Sequence, residues 1–178
     1  FTSLVAGLSM AAGMMGTTAM AQDDMRIALV VKALGIGFFE AAAEGAAEAA
    51  AELGNVEIIY TGPTSTTAEG QIEVINSLIA QGVDAIAISA NDPDAVVPAL
   101  KRAMDRGITV ISWDSGVAEE GRMMHLNPSS TPLIGNTIIK LAADHMPDGG
   151  QVAILSATTT STNQNAWIAA AEEVLPNY

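Results

Sequence analysis

The residues of this chain best suited to chemistry fall into four short groups. Lys32 is followed by Gly35-Ile36-Gly37 and by Phe38 and Phe39; Ser89, Asn91 and Asp92 form a second group; Trp113 and Asp114 a third; Asn163, Gln164 and, one turn on, Trp167 a fourth. Together they offer a cation, carboxylates, amides and aromatic rings. Carboxylates accept two hydrogen bonds and amides both donate and accept, which suits a ligand carrying several hydroxyls. Aromatic faces suit the C–H side of a sugar ring. Two of the three Phe and both Trp lie in these groups, in a chain where only 4% of residues are aromatic.

Duller readings stand beside these. Asp92 before Pro93 reads as a helix N-cap, Phe39 as a core residue at a helix start, and Trp167 as packing for the last helix. Lys32 and Asp114 are harder to set aside, because a charge at the end of an apolar strand is costly unless it is used. They could also pair with each other.

Catalysis finds no support in the sequence. Gly35-Ile36-Gly37-Phe38-Phe39-Glu40 imitates a dinucleotide loop, but Glu40 replaces the third glycine and would repel a pyrophosphate. Tyr60-Thr61-Gly62 stands where a ribose-binding acid would be. There is no phosphate-binding GxxxxGK[ST] loop, no G-x-S-x-G elbow and no cysteine; His125 and His145 lack metal-ligand spacing. The expectation is a binding protein with no enzymatic activity, no cofactor and no metal.

The elements that must position these groups alternate. Strands are predicted over 26–31, 56–60, 85–89 and 108–113, and helices over 38–53, from the Thr66–Glu69 capping box to Gly82, and from Asp92 to Gly107. A short strand at 123–127, a break at 127–130, a helix from Thr131, a strand at 151–156, a polar loop at 157–164 and a helix over 165–174 follow. Such alternation predicts an α/β fold with parallel sheets and helices on both faces. In such sheets ligands bind beyond the carboxyl ends of the strands, where all four groups fall. The first helix is Ala-rich with Gly45 at its middle, as if to lie close on the sheet. Its Glu40, Glu44, Glu48 and Glu52 share one face, which reads as solvated.

Leu4 to Thr18 is apolar and uncharged and leads to Ala19-Met20-Ala21, which is the pattern of a secretory signal peptide over residues 1–21. With 7 basic and 20 acidic residues the net charge is −13. That balance argues against nucleic acid or anionic membrane surfaces as partners.

Taken together, Lys32 through Glu40, Gly62-Pro63, Gln81 through Ile86, Ser89-Ala90-Asn91-Asp92-Pro93, Gly107-Ile108 and Trp113-Asp114-Ser115 resemble the type I periplasmic binding proteins of sugar ABC importers. The similarity is greatest to the rhamnose-binding and autoinducer-2-binding branch. It implies two Rossmann-like lobes with parallel sheets: an N-terminal lobe at 22–126, then a hinge and the beginning of a C-terminal lobe, incomplete here, at 127–178. It further implies a monomer in the periplasm that closes on a monosaccharide, rhamnose or a related deoxy sugar, and delivers it to a membrane permease. Lys32 and Asp114 match ligand-contacting positions of the autoinducer-2 binders. Where those carry an Asp-Gln pair, this chain has Asn163-Gln164, which looks more like the rhamnose type.

Overall fold

The computed structural model describes residues 25–178. The signal-peptide reading of 1–21 lies outside the described residues.

Five strands form one parallel sheet: β1 (Met25–Val30), β2 (Val56–Thr61), β3 (Ala85–Ile88), β4 (Thr109–Trp113) and β5 (Met124–Leu126), in the order β2-β1-β3-β4-β5. Three helices cross between them: α1 (Gly37–Leu53), α2 (Ala68–Gln81) and α3 (Val97–Asp105). Parallel neighbours require such crossovers, and the order reverses direction at β1, so strand ends on either side of the switch open a crevice. Alternate residues Ala28, Val30, Ile86, Ile88 and Val110 share one face and are buried under Ile75, Leu78 and Ile79 of α2 and Val97, Leu100 and Ala103 of α3. Each such Val, Ile or Leu side chain contributes about 1.5–3 kcal/mol by leaving water.

Helix boundaries follow local chemistry. Gly54 and Gly82 end α1 and α2 in the left-handed region, at φ 73° and 63°, which glycine enters without steric cost. The N-cap of α2 is Thr67, not Thr66: its hydroxyl accepts from the Gly70 N–H at 3.3 Å, and because Gly70 then stands at N3 the anticipated capping box does not form and Glu69 takes no part. Asp92 caps a turn rather than α3 itself. Its Oδ1 accepts from the N–H groups of Asp94 and Ala95, and α3 begins later, at Val97.

The sheet's other face is covered less well than a doubly covered sheet predicts. In α1 only Phe39 is buried, and a side chain at Gly45 would meet nothing within 4 Å. The small residues of α1 therefore do not bring it close onto the sheet along its length.

Beyond β5 the chain forms α4 (Thr131–His145) and α5 (Thr162–Val174), which pack together. A Cβ at Gly135 would lie 2.6 Å from the Cβ of Ala170, so the two backbones meet at this point. Two expectations fail here. Residues 151–156 join no sheet, because a strand needs a ladder partner and none lies beside them among the described residues. Helix α5 starts three residues earlier than anticipated, so Thr162, Asn163 and Gln164 form its first turn rather than a loop.

Candidate functional site

Lys32 lies two residues past the end of β1, Ser89 directly follows β3 and Asp114 directly follows β4. Parallel pairing therefore sets the three side by side at one end of the sheet. Gln71, buried in α2, holds this layer in register. Its amide donates to the carbonyls of Val31 (3.0 Å) and Ser89 (2.8 Å) and accepts from the Asn91 N–H (2.8 Å). Asn91 in turn donates to the carbonyls of Lys32 (2.8 Å) and Thr67 (3.1 Å). The loops that carry the chemistry are thus tied by side chains to the backbone carbonyls of their neighbours.

Asp114 adopts φ 54°, the single non-glycine residue in the left-handed region among the described residues. Asp tolerates that region better than most residues, and such strain gathers at functional sites. Its carboxylate accepts from Ser89 Oγ at 2.7 Å and from Asn163 Nδ2 at 2.6 Å. The second bond comes from α5, so the carboxylate joins the sheet unit to the α4–α5 unit.

Lys32 is only 4% exposed. Burial lowers the pKa of its ammonium from 10.5, and the charge of Asp114 opposes that shift. The two do not form a contact ion pair. Instead the ammonium donates to Ser161 Oγ, at the start of α5, at 2.9 Å. Three further bonds cross between the units: Thr160 Oγ1 donates to the Asn91 carbonyl (2.7 Å), and Thr162 Oγ1 meets the Gly116 carbonyl (3.2 Å) and Ser115 Oγ (3.1 Å).

The aromatic residues divide by role. Phe39 is buried beneath Phe38 and Trp113, edge-on to both at 5.2 and 5.7 Å between centroids. Phe38 is exposed and lies nearly parallel to Trp113 at 6.3 Å. The indole N–H of Trp113 and Oδ1 of Asn91 are buried without a hydrogen-bond partner among the described residues. One free donor and one free acceptor thus belong to the same strand-end layer.

Of the anticipated residues, the structure gathers Lys32, Ser89, Asn91, Asp114 and Asn163 into one hydrogen-bonded network, with Phe38 and Phe39 at the start of α1 and Trp113 at the end of β4 forming a cluster. It leaves three others differently engaged. Asp92 is occupied by its own turn. Gln164 Oε1 accepts from Ala157 N and Ser156 Oγ in the segment before α5. Trp167 walls a cavity of about 280 Å³ that also reaches Asp114, Asn163, Arg122 and His125.

Residues that strand-end reasoning omitted are Gln71, Ser115, Thr160 and Ser161. Gln71 was visible as a polar residue in the Gln71–Ile75–Leu78 stripe. The hydroxyls were not, since nothing separates them from the rest of a Thr-rich run.

A parallel sheet whose strand ends present a buried cation, a carboxylate and aromatic rings to a second packed unit has the form of an α/β ligand-binding domain. The chain belongs to the periplasmic binding protein domain family, which it matches over residues 27–178. It is 36% identical to an ABC transporter solute binding protein from Clostridium phytofermentas with bound L-rhamnose, at a TM-score of 0.79, covering 86% of this chain and 48% of that one. It is 28% identical to LsrB from Clostridium saccharobutylicum in complex with AI-2, at a TM-score of 0.78, covering 85% and 49%. A D-ribose/D-allose-binding protein of Pseudomonas aeruginosa is 29% identical over 150 residues, 79% of this chain and 46% of that protein. The chain thus spans about half the length of the relatives it matches.

Proposed function

We propose that this protein is an exported, periplasmic solute-binding component of an ABC importer that captures a monosaccharide, L-rhamnose or a related deoxy sugar. It hands the sugar to a membrane permease, acts as a monomer and performs no catalysis. In this reading residues 127–130 are the hinge between an N-terminal lobe and a C-terminal lobe that begins with α4.

The observation that carries the reading is the meeting of Lys32, Asp114 and Asn163 from two packed units, with the exposed ring of Phe38 stacked on Trp113, the residue before Asp114. A carboxylate and an ammonium with unused bonding capacity suit vicinal hydroxyls, and the ring suits the apolar side of a sugar. The neighbour holding L-rhamnose supports the choice of sugar. A receptor for AI-2 is the competing reading, favoured by Lys32 and Asp114 and by the AI-2-bound neighbour. The amide of Asn163, where the autoinducer-2 binders carry a carboxylate, weighs against it.

Calorimetric titration of the full-length mature protein tests this. L-rhamnose and other deoxy sugars should release heat with saturable binding, and D-ribose, D-allose and AI-2 should bind more weakly. No heat from any deoxy sugar refutes the proposal, and tight binding of AI-2 alone transfers it to the competing reading.

A further inference from the structure

Ser161 belongs to no group that strand-end reasoning selects, yet it is fully buried and holds the ammonium of Lys32 at 2.9 Å. It occupies the N-cap position of α5, where a serine hydroxyl ordinarily accepts from the first N–H groups of the helix. Here it makes no such bond. Asn163 partly replaces it: its Oδ1 accepts from the Gln164 N–H at 2.8 Å while its Nδ2 reaches Asp114. Ser130, before α4, also makes no cap bond, but it is exposed and water can satisfy it. Ser161 has no such outlet. Its oxygen accepts from Lys32, and its own O–H can donate to Thr158 Oγ1 at 3.1 Å. Local capping is given up at this one buried serine in favour of a contact 129 residues away in sequence.

We propose that Ser161 is a positioning residue for the Lys32 ammonium, so that the segment entering α5, rather than the unit that carries Lys32, sets where the cation's remaining donors face. This rests on the sugar-binding reading above, and it assigns the second unit a part in shaping the first unit's ligand group. The arrangement is directional. A lysine stem alone has many rotamers. Anchoring one N–H to a fixed helix terminus removes most of them before any ligand hydroxyl is met. Asp114 is the charged group that bears on this ammonium, and it acts through space rather than by contact.

Ser161→Ala in the full-length protein tests the proposal with two readouts. The variant should fold, because Ser161 gives α5 no side-chain cap. In the first readout, nitrogen NMR follows Lys32 Nζ through its titration with no sugar added. Loss of the acceptor should move the midpoint to lower pH, since the charged form loses a partner. In the second, calorimetry with L-rhamnose should show an affinity about tenfold lower, with the alkaline loss of binding starting at lower pH. An unmoved Lys32 midpoint overturns the proposal whatever the sugar result. A moved midpoint in a protein that binds no sugar upholds the positioning role and refutes the sugar reading instead. If Ser161→Ala does not fold, Ser161→Cys fills the same place with only a weak acceptor, and the Lys32 midpoint decides as before.

Discussion

Asn163 shows how much one atom type decides in this site. Its Nδ2 lies 2.6 Å from Asp114 Oδ1, a separation that only a donor facing an acceptor can hold. Asn163→Asp would set two carboxylates against each other, and like charges at that distance disfavour joint ionisation. We expect the variant to lose at least about tenfold in L-rhamnose affinity at neutral pH. Part of that loss should be recovered on mild acidification, when a proton shared by the pair restores a donor. Calorimetry at the two pH values checks this, and wild-type affinity at neutral pH would show the amide to be dispensable. Lys32 gives the opposite pH signature. Burial depresses its folded pKa below 10.5, so between the lowered value and 10.5 the unfolded chain holds a proton that the folded chain lacks. The contribution of Lys32 to stability therefore rises with pH across that window, while binding that needs the ammonium falls. Thermal melts of the wild type against Lys32→Met, set beside calorimetry over the same range, should diverge in this way. Lys32 and Asp114 were legible in the sequence because charge at the end of an apolar strand is conspicuous. Ser161 was not, because a hydroxyl in the run Thr158–Ser161 carries no mark of its distant partner.

At the scale of elements, what could be read was whatever depends on local sequence. The apolar runs of β1, β3 and β4 and the glycine stops at Gly54 and Gly82 were visible for that reason. What depends on partners was not. Residues 151–156 have a strand's composition, but β-propensity records fit to a pleated, paired surface, and no pairing exists there among the described residues. The start of α5 was missed because Thr162 and Asn163 look like loop residues until Asn163 is seen accepting from the Gln164 N–H. The junction of α4 and α5 rests on Gly135, whose Cβ would fall 2.6–2.7 Å from the Cβ and backbone of Ala170 and the nitrogen of Ala171. Backbone atoms cannot rotate away. Gly135→Ala gains up to about 1 kcal/mol of helix propensity but must part the helices, an overpacking cost of about 1–3 kcal/mol. We expect net destabilisation in thermal unfolding, together with weaker sugar binding, because α5 carries Ser161 and Asn163. An unchanged melting temperature would mean that the helices can separate without cost.

At the scale of the whole molecule, two apolar surfaces lie open. On the sheet face opposite α2 and α3, Met124 is 53% and Leu126 60% exposed. On the α4–α5 unit, Leu155 is 98% exposed, and Val152, Ile154, Ile138 and Ile168 line a cavity of about 480 Å³ between the two helices and residues 152–156. Monomeric proteins seldom leave contiguous apolar area of this kind uncovered, and relatives of this chain are about twice its length. The two open surfaces also bear on binding. Ser161 and Asn163 reach the sheet unit from α5, which also packs on α4 and, across this cavity, faces residues 152–156. A site whose second half rests on an unsupported helix pair spends ligand affinity on ordering that pair. We therefore expect residues 22–178, prepared alone, to bind a hydrophobic dye strongly and to bind L-rhamnose far more weakly than the rhamnose-bound relative from Clostridium phytofermentas does. Dye fluorescence and calorimetry on the two proteins side by side check this. An affinity equal to the relative's, with no dye binding by residues 22–178, would show that α4 and α5 hold the site in place without further support.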